Sequence, residues 1–231
     1  DPIFASDLHR LAWRSASGFA SAVEGDVQIV CAPHGQMAGP LWRLFMRGRI
    51  ARMMNKLRSE ESGKLTPVQR ALLKGPARLR PVTIHQKFAV ADGARCIIGG
   101  LDINERRYDT PEHERPPEET WHDVSMQVDD PDFSAALRVH FSDTWNDALA
   151  CGVSCIGEGA EEMPARTRPQ PPADLRLIRT VSSPCPGPAR LAPRAKVQDH
   201  EKALIAMIGE ARHHIYIETQ FLRHRPIVDA L

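Results

Sequence analysis

The sequence lacks the features of a membrane-spanning or secreted chain. It has no apolar run of about 18 residues, the length that a spanning helix needs. Its first ten residues have neither the basic start nor the hydrophobic stretch of a signal peptide. We therefore expect a protein that is cytoplasmic or peripheral to a membrane. Because the chain begins with Asp1, we also expect it to be processed or cut from something longer.

An excess of one charge is also missing. Lys and Arg number 30 and Asp and Glu number 29, which gives a formal net charge of +1. A dedicated nucleic-acid-binding protein usually has a marked basic excess, so no nucleic acid is expected as a partner. The near balance does not exclude a basic face on part of the surface.

The cysteines are too irregularly spaced for a disulfide framework or a zinc site. Cys151 and Cys155 are the one close pair, and no second pair is present to complete four ligands. We interpret all five cysteines as free thiols in a reducing compartment, and we expect no metal and no cofactor. They are Cys31, Cys96, Cys151, Cys155 and Cys185.

The length and composition are typical of a globular protein with one large domain, or with one domain and part of another. The chain has 231 residues, of which 42% are hydrophobic and 26% charged. Gly, Pro and charged residues dominate positions 157–173, as in linkers. The sequence therefore predicts a first domain over 1–150, a linker over 151–173 and the truncated start of a second, similar domain over 174–231.

Hydrophobic periodicity predicts alternating helices and strands, and hence an α/β fold. Asp92-Gly93 between two apolar runs is a strong hairpin signal, and Thr66-Pro67 has the residue types that begin a helix. In the first domain we expect helices over 3–22, Leu41–Arg58, from Thr66 and over 131–150, and strands over Val27–Ala32, Val82–Ala91, Arg95–Leu101 and Trp121–Val128. In the second we expect a strand over Leu175–Val181, a helix over Asp199–Arg212 and a strand over His214–Phe221.

Two of these helices have a predicted buried side. For the helix over 3–22 it consists of Phe4, Leu8, Leu11, Phe19 and Val23. For the helix over 131–150, which begins at Asp130-Pro131, it consists of Phe133, Leu137, Phe141, Trp145 and Leu149.

The helix over Leu41–Arg58 is strongly basic. Its cations interleave with apolar residues, and two interpretations stay open: a solvated amphipathic helix, or a surface that meets anionic lipid head groups. The cations are Arg43, Arg47, Arg49, Arg52, Lys56 and Arg58.

His85 and Lys87 form the pair that indicates chemistry. On a strand, residues two apart point to the same side, about 6.6 Å from each other. Lysine is almost never fully buried unless it is paired, so a histidine beside a lysine is a poor choice for a core. A neutral imidazole facing an ammonium suits an anionic phosphate, which the lysine holds while the imidazole attacks. The opposite face, with Gln86, Phe88 and Val90, is mainly apolar.

The residues that follow this pair belong to a hairpin. Asp92 lies seven residues after His85, which puts it on the other face or in the turn. Shaping the Asp-Gly turn is the favoured role for Asp92, and a direct catalytic role is the alternative. Gly99-Gly100 lies on the partner strand, where missing side chains would let a ligand reach the backbone.

The combination His-x-Lys, four residues, Asp, six residues, Gly-Gly is much more specific than any of its parts. It resembles the signature of the phospholipase D superfamily, His-x-Lys-x-x-x-x-Asp followed by Gly-Gly or Gly-Ser. Further segments are similar to the amino-terminal half of the eukaryotic-type enzymes: Gly99–Ile103, Arg107–Asp109, Thr120–Val124 and, with Thr219 in place of Asn, His214–Phe221. The resemblance covers residues 80–150 well and 175–222 loosely.

The resemblance implies a fold and a mechanism. Family members pair two half-domains, each a mixed β-sheet flanked by helices, around one active site. One histidine attacks phosphorus to form a phosphohistidine, the other half's histidine protonates the leaving alcohol, and water or another alcohol releases the phosphatidyl group. The implied substrate is a glycerophospholipid, and the implied partners are a second catalytic half, in the full-length chain or from a dimer, and a peripheral membrane surface.

Site residues carry over position by position. His85 would be the catalytic histidine of the first half, and Lys87 would bind the phosphate. Asp123 matches the carboxylate that orients the histidine, with a strand-edge charge as the alternative. Asp102 falls where many bacterial members have Asn, so its phosphate-side role stays open.

The second half is incompletely represented. Glu218 and Gln220 would border the pocket or would be polar residues on a half-exposed strand. A second His-x-Lys-x-x-x-x-Asp is absent, because His200-Glu-Lys202 continues into a helix with Met207 where Asp is needed.

Three alternatives to a complete phospholipase D-type hydrolase follow from that absence and from the shared chemistry. One is a phosphatidyltransferase of the cardiolipin-synthase kind. Another is a non-catalytic or incomplete phospholipid- or phosphate-binding fragment. The third is a single-signature phosphodiesterase that builds its site by dimerisation.

Overall fold

The structure is a computed structural model that describes residues 6–100, 109–120, 123–152, 155–156, 159–169 and 174–231. Its helices are α1 (Asp7–Ala22), α2 (Pro40–Phe45), α3 (Arg47–Arg58), α4 (Pro67–Lys74), α5 (Pro131–Ala150), α6 (Asp199–Glu210) and α7 (Arg225–Val228), with a 3₁₀ turn over Ser62–Lys64. Its strands are β1 (Ile29–Val30), β2 (Phe88–Ala91), β3 (Arg95–Gly99), β4 (Ser125–Val128), β5 (Cys155–Ile156), β6 (Thr180–Ser183) and β7 (Arg194–Gln198).

The strands form three small sheets. β1 pairs with β5, β2–β3–β4 form a three-stranded sheet, and β6 pairs with β7. Every pairing among these strands is antiparallel, so the α/β class is confirmed but the expected mixed sheet is not what the described residues form. Of these pairings, only that of β2 with β3 is closed by a tight turn; β1 and β5 pair across more than a hundred positions of the chain.

The chain divides into two compact units that interleave along the sequence. One unit contains Asp1–Trp13, His34–Val82 and Ile178–Leu231, and the other contains Arg14–Pro33 and Thr83–Leu177. The division into a first domain over 1–150, a linker over 151–173 and a second domain over 174–231 stays a prediction.

The second of these units has its core between the three-stranded sheet and α5. Cys96, Val128, Phe133 and Leu137 are buried there, and the β2 residues Phe88 and Val90 pack against them. The face of β2 that the sequence predicted to be apolar is therefore the core face. On α5, Phe133, Leu137 and Trp145 are buried as predicted, whereas Phe141 is exposed and Leu149 is half-buried.

Local signals placed two element boundaries correctly. Asp92 and Gly93 both have positive φ (53° and 70°), as a type I′ turn requires, and they connect β2 to β3. Thr66 caps α4: its hydroxyl accepts a hydrogen bond from the Gln69 N–H (3.2 Å), and the Gln69 side chain accepts one from the Thr66 N–H (3.3 Å). Asp130 caps α5 in the same way, through the Phe133 N–H (2.6 Å).

The first unit is held by buried polar contacts as well as apolar ones. Gln36 is fully buried; its amide donates to the Cys185 carbonyl (3.2 Å), and its side-chain oxygen accepts from the Cys185 N–H (2.7 Å). These bonds join the segment before α2 to the loop after β6. The predicted single helix over Leu41–Arg58 is two helices, which meet at Met46.

Two predictions about elements were wrong. Residues 214–221 form no strand and pair with no strand among the described residues; Tyr216 is 81% exposed. Backbone groups of an extended segment need a neighbouring strand, and this segment has none in the structure. Of the side predicted to be buried on the first helix, Leu11, Phe19 and Val23 are exposed; Phe4 and the side chain of Leu8 lie outside the described part of the chain.

Two smaller findings complete the description. No helix of the described residues is long and apolar enough to cross a membrane. No disulfide joins the cysteines of the described residues, and burial raises the pKa of Cys31 to about 11.

Candidate functional site

His85 and Lys87 lie side by side immediately before β2. The Lys87 Nζ is 2.5 Å from His85 Nε2 and 3.4 Å from His85 Nδ1, so the two side chains are in contact. His85 is exposed and Lys87 is half-buried. The strand begins at Phe88, later than predicted, but the alternation of side chains continues back to the pair. An imidazole and an ammonium therefore project together where a solute has access.

A contact from α5 holds the residue between them. His140 is buried, and its Nε2–H donates to Oε1 of Gln86 (2.9 Å). The His140 ring also lies 6.2 Å from the Phe88 ring. Because alternate residues of an extended segment point to opposite sides, fixing Gln86 toward α5 directs His85 and Lys87 away from the core.

His140 is a positioning residue that sequence reasoning did not find. The position of His140 within α5 does not distinguish it from other helical residues. Its partner Gln86 lies 54 positions earlier in the chain. The one available signal was a polar residue at an interior position of an amphipathic helix, three residues after Leu137 and four before Thr144.

Gly99 and Gly100 bring the start of β4 close to the end of β3. The Gly99 N–H donates to the Lys87 carbonyl (3.3 Å), and the Gly100 N–H donates to the Val124 carbonyl (3.1 Å). A Cβ on Gly99 would lie 2.1 Å from the Ser125 hydroxyl oxygen. Close packing against neighbouring residues thus explains the glycine at both positions. Contact of these glycines with a ligand stays a prediction.

Asp123 lies against the second of these glycines. A Cβ on Gly100 would be 2.2 Å from Oδ1 of Asp123, and the same Oδ1 accepts a hydrogen bond from the Val124 N–H (2.8 Å). Within the described part of the chain the His85 ring pairs with Lys87 rather than with Asp123. The pair, the two glycines and Asp123 nevertheless occupy the same end of the three-stranded sheet.

Asp92 lies at the opposite end of that sheet. It occupies the β2–β3 turn, five residues after Lys87, which corresponds to roughly 17 Å of extended chain. Its side chain is exposed. This location favours a role for Asp92 in shaping the turn over a direct catalytic role.

Three predicted site residues remain, Asp102, Glu218 and Gln220. Asp102 lies outside the described residues. Glu218 and Gln220 belong to the other compact unit, in the segment without a strand, and the Tyr216 hydroxyl donates to Glu218 Oε2 (3.2 Å). Their contact with a substrate stays a prediction.

A histidine–carboxylate pair lies in the loop between β3 and β4. His113 Nδ1 donates to Oδ2 of Asp109 (2.7 Å), and this bond lowers the pKa of the Asp109 carboxyl below its ordinary value. His113 is largely exposed. Across the described positions, no three His, Cys, Asp or Glu side chains are grouped closely enough to hold a metal ion.

Comparison with known proteins gives one relationship. The chain is similar to the protein named Phospholipase D1 of Schizosaccharomyces pombe (strain 972 / ATCC 24843): it is 24% identical over 213 residues, an alignment that covers 65% of this chain and 15% of that relative. No family model matches the chain, and no solved structure matches it. The similarity supports a distant phospholipase D-like relationship, for a chain that spans a small part of the relative's length.

Proposed function

We propose that the chain contributes one catalytic half of a phospholipase D-type phosphodiesterase that acts on glycerophospholipids. The observation that carries the proposal is the contact between His85 and Lys87 at an exposed sheet end. A nucleophilic nitrogen and a positive charge lie within hydrogen-bond distance of each other there. The distant similarity to a phospholipase D supports the substrate class.

The contact suggests how substrate activates the pair. In the structure the Lys87 ammonium lies against the His85 ring, 2.5 Å from Nε2 and 3.4 Å from Nδ1. A phosphodiester oxygen is a stronger acceptor for an ammonium than a neutral imidazole, because the bond is charge-assisted on both sides. Lys87 would turn to the phosphate and free Nε2, which would then be close to phosphorus.

The proposed reaction has two displacements. His85 Nε2 attacks phosphorus and forms an N–P bond while the P–O bond to the head-group alcohol breaks. A histidine of a second half gives its proton to that alcohol. Water, or another alcohol, then attacks the phosphohistidine, and His85 is regenerated. Asp123 would stabilise the positive charge on the ring, after a shift from its position against Gly100.

Replacement of the nucleophile tests the proposal. His85→Ala in a preparation that releases choline from phosphatidylcholine should reduce turnover to background. General acid–base help is worth about 10²–10⁴-fold, so a loss beyond that range indicates covalent chemistry as well. Lys87→Ala should raise KM and lower kcat because the phosphate loses its cation.

His200→Ala is the matched control. His200 lies in the chain's other His-x-Lys, within α6, where its ring contacts Thr180 (3.4 Å). This variant should keep full turnover. Retention of activity by His85→Ala, or equal loss in both variants, would refute the assignment of the nucleophile.

Two further functions share the site. A phosphatidyltransferase would use an alcohol acceptor, and product analysis with added glycerol separates it from a hydrolase. A non-catalytic phosphate-binding fragment is favoured by the single signature, and binding of phosphatidylcholine without any turnover in the complete protein would establish it.

A further inference from the structure

The segment over α2 and α3 is the most basic part of the chain. Residues 40–58 contain six Lys or Arg residues and no Asp or Glu, although the whole chain has a net charge of +1. In the compact unit that contains them, these helices are anchored on one side: Met54 and Leu57 are buried. The Trp42 indole N–H donates to the Ala189 carbonyl (2.8 Å), which fixes the beginning of α2.

The side of the segment that faces solvent carries both apolar and basic groups. Hydrogen bonding continues through the junction at Met46, since its N–H donates to Trp42 O (2.9 Å) and its carbonyl accepts from Ile50 N–H (3.0 Å). Residues three or four apart then share a face. The members of this face, here called the amphipathic stripe, are Leu41, Phe45, Arg49, Arg52 and Lys56, all exposed.

The apolar members of the stripe are largely exposed, although the Phe45 ring packs edge-on against the Trp42 ring, with the ring centroids 6.3 Å apart. Phe45 is 79% exposed and Leu41 is 57% exposed. The cationic members also have no counterion: in the described ranges no carboxylate pairs with Arg49, Arg52 or Lys56. The stripe thus combines exposed apolar side chains with cations that have no counterion among the described residues. This combination is complementary to a bilayer surface, which has anionic head groups outside and acyl chains beneath them.

We infer that the amphipathic stripe attaches the protein to the surface of a bilayer that contains anionic phospholipid. The three cations contact lipid phosphates and carboxylates, and Phe45 and Leu41 enter the boundary between head groups and acyl chains. This attachment is independent of the proposed catalytic function, because it uses residues of the other compact unit and needs no turnover.

Three neighbouring arginines provide a matched control. Arg43, Arg47 and Arg58 line a separate pocket of about 400 Å³ with the apolar residues Ile50 and Met54. Loss of these three charges changes the net charge as much as loss of the three in the stripe. A binding mode that depends only on total charge would respond equally to both changes.

The experiment measures partition of the His85→Ala chain onto phosphatidylcholine vesicles with and without phosphatidylserine, so that turnover plays no part. Arg49→Gln/Arg52→Gln/Lys56→Gln should weaken binding to the anionic vesicles by roughly a hundredfold. Arg43→Gln/Arg47→Gln/Arg58→Gln should weaken it by much less. Phe45→Ser should weaken it by about tenfold, and the loss should persist at high salt, where charge attraction is screened.

The substituted side chains of the stripe are exposed, so the variants should unfold at the same temperature as the parent chain, which thermal melting checks. Equal losses in the two triple variants would overturn the oriented stripe. Equal binding to vesicles that lack phosphatidylserine, or no effect of Phe45→Ser, would overturn it as well. Binding through the stripe, together with no turnover by the unsubstituted protein in a preparation that contains both catalytic halves, would contradict the catalytic proposal alone.

Discussion

At Gly100 a missing side chain makes room for a carboxylate. Its φ lies outside the left-handed region, so the backbone would accept any L-residue and the requirement is for space alone. The three Asp123 carboxyl atoms all lie within 2.8 Å of the place a Cβ would take. The glycine thus determines where a proposed site residue lies.

Gly100→Ala should therefore lower both stability and activity. The new methyl group has to displace the Asp123 carboxylate, which ends a half-exposed side chain that can turn away, so the free energy of unfolding should fall by about 0.5–1 kcal/mol. Chemical denaturation measures the loss. Gly48→Ala is the control: it lies inside α3 with open space around its Cα, and it should gain about 0.5–1 kcal/mol. Equal stability of the two variants would contradict the steric argument.

Among the elements, α4 shows how a short helix is fixed at its start. Its eight residues are too few for independent stability, and its capping box is reinforced from α1. The buried His9 ring lies within hydrogen-bond distance of the Thr66 hydroxyl (3.0 Å), whose oxygen also accepts from the Gln69 N–H. Burial lowers the pKa of His9 below its ordinary value of 6.5.

Because of this histidine, the free energy of unfolding should decrease as the pH is lowered. In the unfolded chain His9 takes up a proton near pH 6.5, whereas in the folded chain it does so only at lower pH. The contribution of neutral His9 to the free energy of unfolding is therefore fully present above pH 6.5 and is lost as the pH falls below that value. Denaturation midpoints between about pH 7.5 and 5.5 should decrease less in His9→Gln than in the parent chain. His213→Gln, at an exposed position, should leave the slope unchanged. Identical slopes in all three chains would exclude His9 as the cause.

At the scale of the whole molecule, the proposed chemistry needs more than one signature. The reaction uses one histidine as nucleophile and another as acid, and the chain has one His-x-Lys-x-x-x-x-Asp. The aligned relative is far longer than the chain, which covers 15% of it. A second half, from a longer chain or from a second copy, is therefore part of the proposal.

Turnover by the 231-residue chain should accordingly depend on association. At concentrations where sedimentation shows a monomer, we expect no release of choline; any activity should appear together with a dimer. The reason is that a lone half supplies the nucleophile but no proton donor for the leaving alcohol. A strictly monomeric chain with activity would contradict the requirement for a second half.

The sequence by itself determined the features that depend on neighbouring residues. The Asp92-Gly93 turn, the cap at Thr66 and the alternation that separates His85 and Lys87 from the core face are set by φ preferences, short hydrogen bonds and the two-residue period of extended chain. These forces act over a few positions, and a reader of the sequence can apply them directly.

Only the tertiary structure decided what depends on distant partners. The bond from His140 to Gln86 and the contact of Asp123 with Gly100 join residues that are 54 and 23 positions apart. Residues 214–221 have the composition of a strand but form none, because a strand exists only where a neighbouring backbone supplies its hydrogen bonds. Such contacts depend on which surfaces meet, and no local pattern encodes that.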